Sequence, residues 1–170
     1  AVDYEEPPAS LWSGWSPCTV PGKQCSRETV SVDDEDLILV WGDLHNHSVL
    51  SPDAEGAPDV LYRYAREKAG LDFVGITDND FYPESVLSDS ESAYEQALAR
   101  GLRRSGNFVP LCGFEWSFHR SKDPDDYNHR IVLFLAPDQP VARRIFESGN
   151  TEQAFIKTME GSECLSIPHH

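Results

Sequence analysis

Methionine is nearly absent from this chain: the single copy is Met159, and the sequence opens Ala1-Val2-Asp3-Tyr4 instead of on an initiator. A removed leader and a trimmed start both account for that, and no signal-peptide pattern decides between them. Apolar runs such as Leu37 to Trp41 fall far short of the ~20 residues that cross a bilayer as a helix, so no membrane span is expected. Cations are scarce, with 14 Lys and Arg against 29 Asp and Glu, a net charge of -15. A surface of that sign repels phosphate backbones and argues against general DNA or RNA binding. An anionic small substrate would need local positive charge, which bound divalent metals would supply. There is no Gly-rich phosphate loop and no Ser-His-Asp pattern. Cysteines number four: Cys18 and Cys25 could pair in an oxidising compartment, Cys112 and Cys164 read as buried strand residues, and four free thiols fit equally well.

What is present is one domain's worth of chain, 170 residues of ordinary globular composition. Residues 1–35 are rich in Pro, Ser, Gly and acid and read as an irregular N-terminal arm. From 36 to 170 the pattern becomes regular. Leu37 to Trp41 predicts a strand buried on both faces. Pro58 starts a helix with Val60, Leu61, Tyr64 and Ala65 on its apolar face, ending at Gly70. Leu71 to Thr77 is the next strand, and Ser88 with Glu91 forms a capping box before a helix carrying Tyr94, Ala97 and Leu98. Phe108 to Phe114 and Ile131 to Leu135 predict two more strands. A helix from Thr151 stops at Gly161, and Cys164 to Ile167 makes a last strand. This alternation implies α/β architecture with a mainly parallel sheet or barrel.

The polar residues capable of chemistry gather just past strand ends, where β/α barrels collect their catalytic groups. His45 and His47 alternate along a strand end, so both imidazoles project to one side and together suit a borderline divalent metal. A lone His-x-His is weak evidence. Here Asp53 follows in an acidic loop, Asp78 and Asp80 close the second strand, and Glu115 closes the third. His129 and His169 accompany the next two. His129 sits at the start of its strand, as in a strand running against the others. Taken singly, each acid reads as a helix cap or a solvated charge; repeated alignment with strand ends argues against that for the set. Cys112, inside an apolar strand, reads as a packed thiol.

The stretch WGDLHNHSVLSPDAEGAPDVLYRYAREKAGLDFVGITDND, with PLCGFEWS at 110–117, NHRIVLF and SIPHH, resembles the PHP (polymerase and histidinol phosphatase) superfamily over about residues 40–170. The likeness is to a bacterial branch with WGDLH, GxEW and PHH signatures. The resemblance implies a distorted (β/α)7 barrel, of which about the first five strands would lie in this chain. It implies a first metal on His45, His47 and Glu115. A second would share Glu115 and use His129 with His169, or with His170 in the alternative register. A third would use Asp53 and the residue after Asp78. Two departures stand out: that residue is Asn79 where the family has His, and the family's later Asp-x-His motif would fall beyond residue 170. A remaining C-terminal half, in the same or another chain, is therefore expected, with an affinity-tag stub at His169-His170 as the lesser reading.

These readings lead to a metal-dependent phosphoesterase acting on small phosphomonoesters or phosphodiesters through an activated water, with two or three Zn, Mn or Fe ions. Glu115 would bridge, Asp78 would orient a ligand, and Arg130 could orient the substrate phosphate, although a solvated surface charge is the commoner role for such an arginine. Two rivals fit the same residues. One is a PHP-like metal-binding or structural domain without turnover; the other is a metallohydrolase of non-phosphate esters or amides. An acidic chain without an initial Met leans toward export, periplasmic or extracellular, with a cytoplasmic setting left open.

Overall fold

The structure, a computed structural model, describes residues 28–80, 86–103, 108–119, 127–136, 139 and 152–168. Arm residues 1–27, with Cys18 and Cys25, and the terminal pair His169 and His170 lie outside that set. β1 (Thr29–Val32) and β2 (Glu35–Ile38) form an antiparallel hairpin. Its two turn residues, Asp33 and Asp34, both have positive φ, 49° and 66°. That is the backbone a tight primed turn requires, and Asp tolerates it better than most residues. The hairpin takes Leu37 and Ile38 out of the main sheet, and Leu37, Ile38, Val40 and Trp41 are all exposed. This corrects the expectation that Leu37 to Trp41 is a strand buried on both faces.

The main sheet has the order β3-β4-β6-β7-β8, comprising β3 (Gly42–Asp43), β4 (Phe73–Ile76), β6 (Val109–His119), β7 (Tyr127–Phe134) and β8 (Cys164–Pro168). β5 (Asn79–Asp80) pairs with the far end of β6. β3, β4, β5 and β6 are mutually parallel where they pair, whereas β6, β7 and β8 are antiparallel. The sheet curls as a half-barrel.

The expected (β/α)7 barrel is not the observed fold. Among the described residues there are three helices, one prolonged by a π-helical turn, against eight strands. The physical reason is in the β6–β7 connection. Only residues 120–126 separate the two strands, and a parallel crossover needs a dozen or more. β7 must therefore fold back on β6, and the position of His129 near its beginning follows from that reversal. β8 then returns antiparallel although a helix precedes it.

α1 (Pro58–Tyr64) begins with Pro58 in its first turn, where the missing N–H costs nothing, and continues into the π-helical turn Ala65–Ala69. Gly70 ends it in the left-handed conformation, φ 67°. α2 (Asp89–Arg103) starts at the predicted capping box: Ser88 Oγ accepts from Glu91 N at 3.2 Å, and Glu91 Oε2 accepts from Ser88 N at 2.8 Å. The predicted helix forms, but its buried face is Ser92, Glu95, Gln96 and Ala99, and Tyr94 is exposed. α3 (Glu152–Met159) packs Phe155 on Trp116 with ring centroids 4.5 Å apart.

Strand alternation divides β6 into two faces. Cys112, Phe114 and Trp116 point to the helices and join Tyr62, Val74, Ile76, Val132, Phe134, Phe155 and Met159 in the core. Burying side chains of this size stabilises the fold by about 1.5–3 kcal/mol each. Gly113, Glu115 and Ser117 occupy the opposite face, which carries the site. Gly113 is required there by space. A Cβ on it would lie 1.7 Å from the Val132 carbonyl oxygen of the neighbouring strand. Gly113→Ala should therefore lower stability by about 3 kcal/mol or more, because the β6–β7 pairing must shift. Ser88→Ala should cost about 1 kcal/mol through the lost cap. Urea unfolding followed by circular dichroism measures both; a Gly113→Ala protein as stable as the parent would contradict the close approach.

Candidate metal centre

The loop after β3 carries His45 and His47 over the sheet, and the local hydrogen bonds explain how. Asn46 Nδ2 donates to the Gly75 carbonyl at 3.1 Å, and Thr77 N donates to the Asn46 carbonyl at 2.8 Å. The backbone between the two histidines is thus stitched to β4 and its C-terminal extension. The rings meet edge to face, centroids 4.8 Å apart. Their Nε2 atoms both approach the same carboxylate oxygen, Glu115 Oε2, at 3.4 Å from His45 and 2.9 Å from His47. Each Nδ1 has its own partner: Thr77 Oγ1 at 2.9 Å for His45, and Asp53 Oδ1 at 3.0 Å for His47. The Asp53 carboxylate, an acceptor only, takes the Nδ1–H of His47, the usual arrangement behind a ligating histidine, whereas the Thr77 hydroxyl, which can donate or accept, orients the His45 ring.

The ligand atoms of His45, His47 and Glu115 all lie within 4.8 Å of one another, so this group could hold a metal ion. The spacing suits one. Bonds of about 2.0–2.1 Å in a tetrahedral set place donor atoms roughly 3.3 Å apart. The His45–Glu115 separation already matches that value, and the His47–Glu115 pair needs to open by a few tenths of an ångström. His45 retains 35% of its side-chain exposure whereas Glu115 has 4%. The centre is therefore closed beneath and open above.

Glu115 has its second oxygen on a different histidine. Oε1 contacts His129 Nδ1, which also lies 3.1 Å from Ser117 Oγ. The β6–β7 register explains this, because Ser117 faces His129 and Glu115 faces Ile131 on the same side of the sheet. Arg130, one residue out of step, stands opposite Trp116 on the α3 side, so alternation directs it away from the His129 face. The structure does not bring Arg130 together with the histidine cluster.

The remaining predicted residues fall around this centre in supporting positions. Asp53 binds His47 Nδ1 and accepts from Asn79 Nδ2 at 3.1 Å. Asn79 thus steers Asp53, and neither belongs to the three-residue ligand group. Asp78 is fully buried and points into the loop, accepting from Ser48 N and Ser48 Oγ, both at 2.6 Å, and from Ser51 Oγ at 2.7 Å. Its own carbonyl accepts from Glu115 N at 2.9 Å. Ser48, Ser51, Thr77 and Ser117 were not singled out from the sequence. Thr77 and Ser48 adjoin predicted site residues, which was their only signal; the role of each depends on a partner distant in the chain.

Electrostatics follow from this geometry. Burial alone would lower the His47 pKa, but hydrogen bonds to Glu115 and Asp53 and the two negative charges outweigh it and raise it to about 9. Burial would raise Glu115; the bonds from His129 and His47, with the His129 and His45 charges, overcome that and hold it well below the usual carboxylate range. In the metal-free protein the site is therefore an ion-pair network.

Comparison of the chain with models of protein families, with curated proteins and with solved structures finds no match.

The sign of the pH dependence is set by these shifts. A histidine raised from 6.5 to about 9 contributes stability that is fully present below pH 6.5 and lost as pH rises through about 9. Glu115, shifted the other way, loses its contribution only as pH falls below the ordinary carboxylate range. Metal-free protein should lose on the order of 2 kcal/mol between pH 6 and pH 10, after discounting for the exposed Asp53 partner. His47→Gln should flatten that change in urea unfolding, and an unchanged slope would remove His47 as its source.

Proposed function

We propose that this protein is a metal-dependent phosphoesterase that hydrolyses small phosphorylated substrates with water. The observation that carries the reading is the convergence of His45, His47 and Glu115 on one open point of the sheet, each imidazole held from behind by an oxygen. The PHP-like motifs around these residues supply the reaction class. A first divalent ion would be held by His45, His47 and Glu115 Oε2. A second would use Glu115 Oε1 with His129, so that Glu115 bridges. Asn79 donates to Asp53, which in turn holds His47 Nδ1.

When bound, such ions supply Lewis acidity toward a phosphoryl oxygen and acidify a water molecule for attack. Mixed imidazole and carboxylate donors suit Zn, Mn or Fe. The chain's own groups do the rest. Thr77 and Asp53 hold both rings with Nε2 toward the centre. Asp78 anchors the loop through Ser48 and Ser51, fixing where His47 stands. Glu115, buried and anionic, sets the distance between the two halves. The half-exposed His45 side leaves room for a phosphate to enter. On a chain of net charge -15, bound cations would give an anionic substrate its local attraction.

Purified protein loaded with Zn or Mn should contain at least one tightly held ion and hydrolyse an aryl phosphate. Replacing His45 and His47 together by Ala should abolish both the metal content measured by elemental analysis and the turnover. Hydrolysis that persists in that double variant would sink the assignment; bound metal without turnover on any phosphoester would favour a binding domain.

A further inference from the structure

The buried face of α2 contains a carboxylic acid that nothing above uses. Glu95 is 1% exposed, and among the described residues no protein donor reaches either of its oxygens. Ser92, Gln96 and Ala99 share the buried face, and Gln96 is occupied by Ser92 Oγ and by the backbone of Gln139. The titratable groups that act on Glu95 are Asp78 from the end of β4 and Glu91 from its own helix. Tyr62 of α1 and Cys112 of β6 also lie near enough to couple electrostatically to it. The Tyr62 hydroxyl is already committed as donor to the Leu111 carbonyl at 2.7 Å. Among these neighbours the Asp78 carboxylate is the one in hydrogen-bonding contact with Glu95, a contact that needs a hydrogen supplied by one of the two acids.

Two carboxylates cannot share a dry site as bare anions, since both are acceptors and their charges repel. One must carry a proton. Asp78 already accepts three hydrogen bonds, from Ser48 N, Ser48 Oγ and Ser51 Oγ, whereas no donor among the described residues reaches Glu95. The proton therefore belongs on Glu95. Burial first, and then Asp78, push the Glu95 carboxyl up to about 10, in keeping with a neutral acid at pH 7. As a neutral acid it becomes the fourth donor to Asp78.

We propose that Glu95 is a positioning residue: its O–H donates to the Asp78 carboxylate and so locks the Ser48–Ser51 loop that sets His47 over Glu115. This rests on the metal-site reading for its functional consequence. Ser51 extends the same clamp, because its Oγ also accepts from Asn79 N at 2.7 Å. One side chain on α2 thus reaches the backbone on both sides of the centre through a single carboxylate.

The test compares Glu95→Gln, which keeps the length and a donor, with Glu95→Met, which keeps the length and removes it. Circular dichroism establishes that each is folded. Glu95→Met should bind Zn about 10–100-fold more weakly, as loss of a group behind a ligand commonly does. Glu95→Gln should bind near the parental level. In metal-free protein, hydrogen exchange at the Ser48 amide should quicken in Glu95→Met and not in Glu95→Gln. The infrared carbonyl stretch of a protonated carboxylic acid at neutral pH should vanish in both. Should Glu95→Met fail to fold, Ser51→Ala removes another donor from Asp78 and should weaken Zn binding by the same route. Parental Zn affinity and Ser48 exchange in Glu95→Met would overturn the proposal. Equal losses in Gln and Met would overturn the donor role. If the parent binds no metal, the phosphoesterase reading falls, and Ser48 exchange alone decides whether Glu95 positions the loop.

Discussion

The burial of one anionic side chain, Glu115, is the constraint on which the site and much of the sheet depend. A carboxylate with 4% of its side chain exposed cannot remain charged without compensation. It is compensated from two directions, by His45 and His47 on one oxygen and His129 on the other. Those histidines come from the loop after β3 and from β7. Satisfying one charge therefore holds together the parallel and antiparallel halves of the sheet. In the absence of metal, His47, with its pKa raised to about 9 by Glu115 and Asp53, carries a compensating proton. With metal, the ion would take over that charge, so loading and proton release would be coupled.

A second carboxylate does comparable work within the chain. Asp78 never faces the open site, yet it ties the loop bearing His47 to the end of β4 and, through its carbonyl, to β6. Ligand geometry in such centres is set largely by groups that do not touch the metal. Here those groups are short hydroxyl side chains and one buried acid, which hold position through hydrogen bonds instead of volume. The buried face of α2 is also polar, an unusual surface for a helix to turn inward, and its Gln96 is held by Ser92 Oγ and the backbone of Gln139.

The sheet separates these two tasks. Its helix-covered side stores the apolar free energy of the fold, with Phe114, Trp116, Val132 and Phe134 packed against α3 and Tyr62. The other side carries Glu115, Ser117 and His129, with Gly113 at the spot where the strands pass too closely for any side chain. A one-residue slip in β6 would exchange the two sets and put Glu115 into the core.

Much of the centre was legible in the chain itself, because His45 and His47 are local neighbours and their spacing alone directs them to one side. The capping box at Ser88 and Glu91, the helix stop at Gly70 and the thiol character of Cys112 were legible for the same reason: each depends on residues a few positions apart. What the sequence could not decide was anything set by distant partners. The reading of alternating strands and helices led to a parallel barrel, and a short β6–β7 connection overturned it. The apolar run at Leu37 suggested burial, and a turn at Asp33-Asp34 placed it outside. α2 was found, but its inward face is Ser92, Glu95, Gln96 and Ala99, a polar set that tertiary packing and not local pattern selected. Asp53 and Asn79 had the composition of ligands, and tertiary contacts set Asp53 on His47 Nδ1 and Asn79 on Asp53. Local spacing determined which residues could do chemistry; the register of β6 against β7, and the buried charges that register brings together, decided which of them meet.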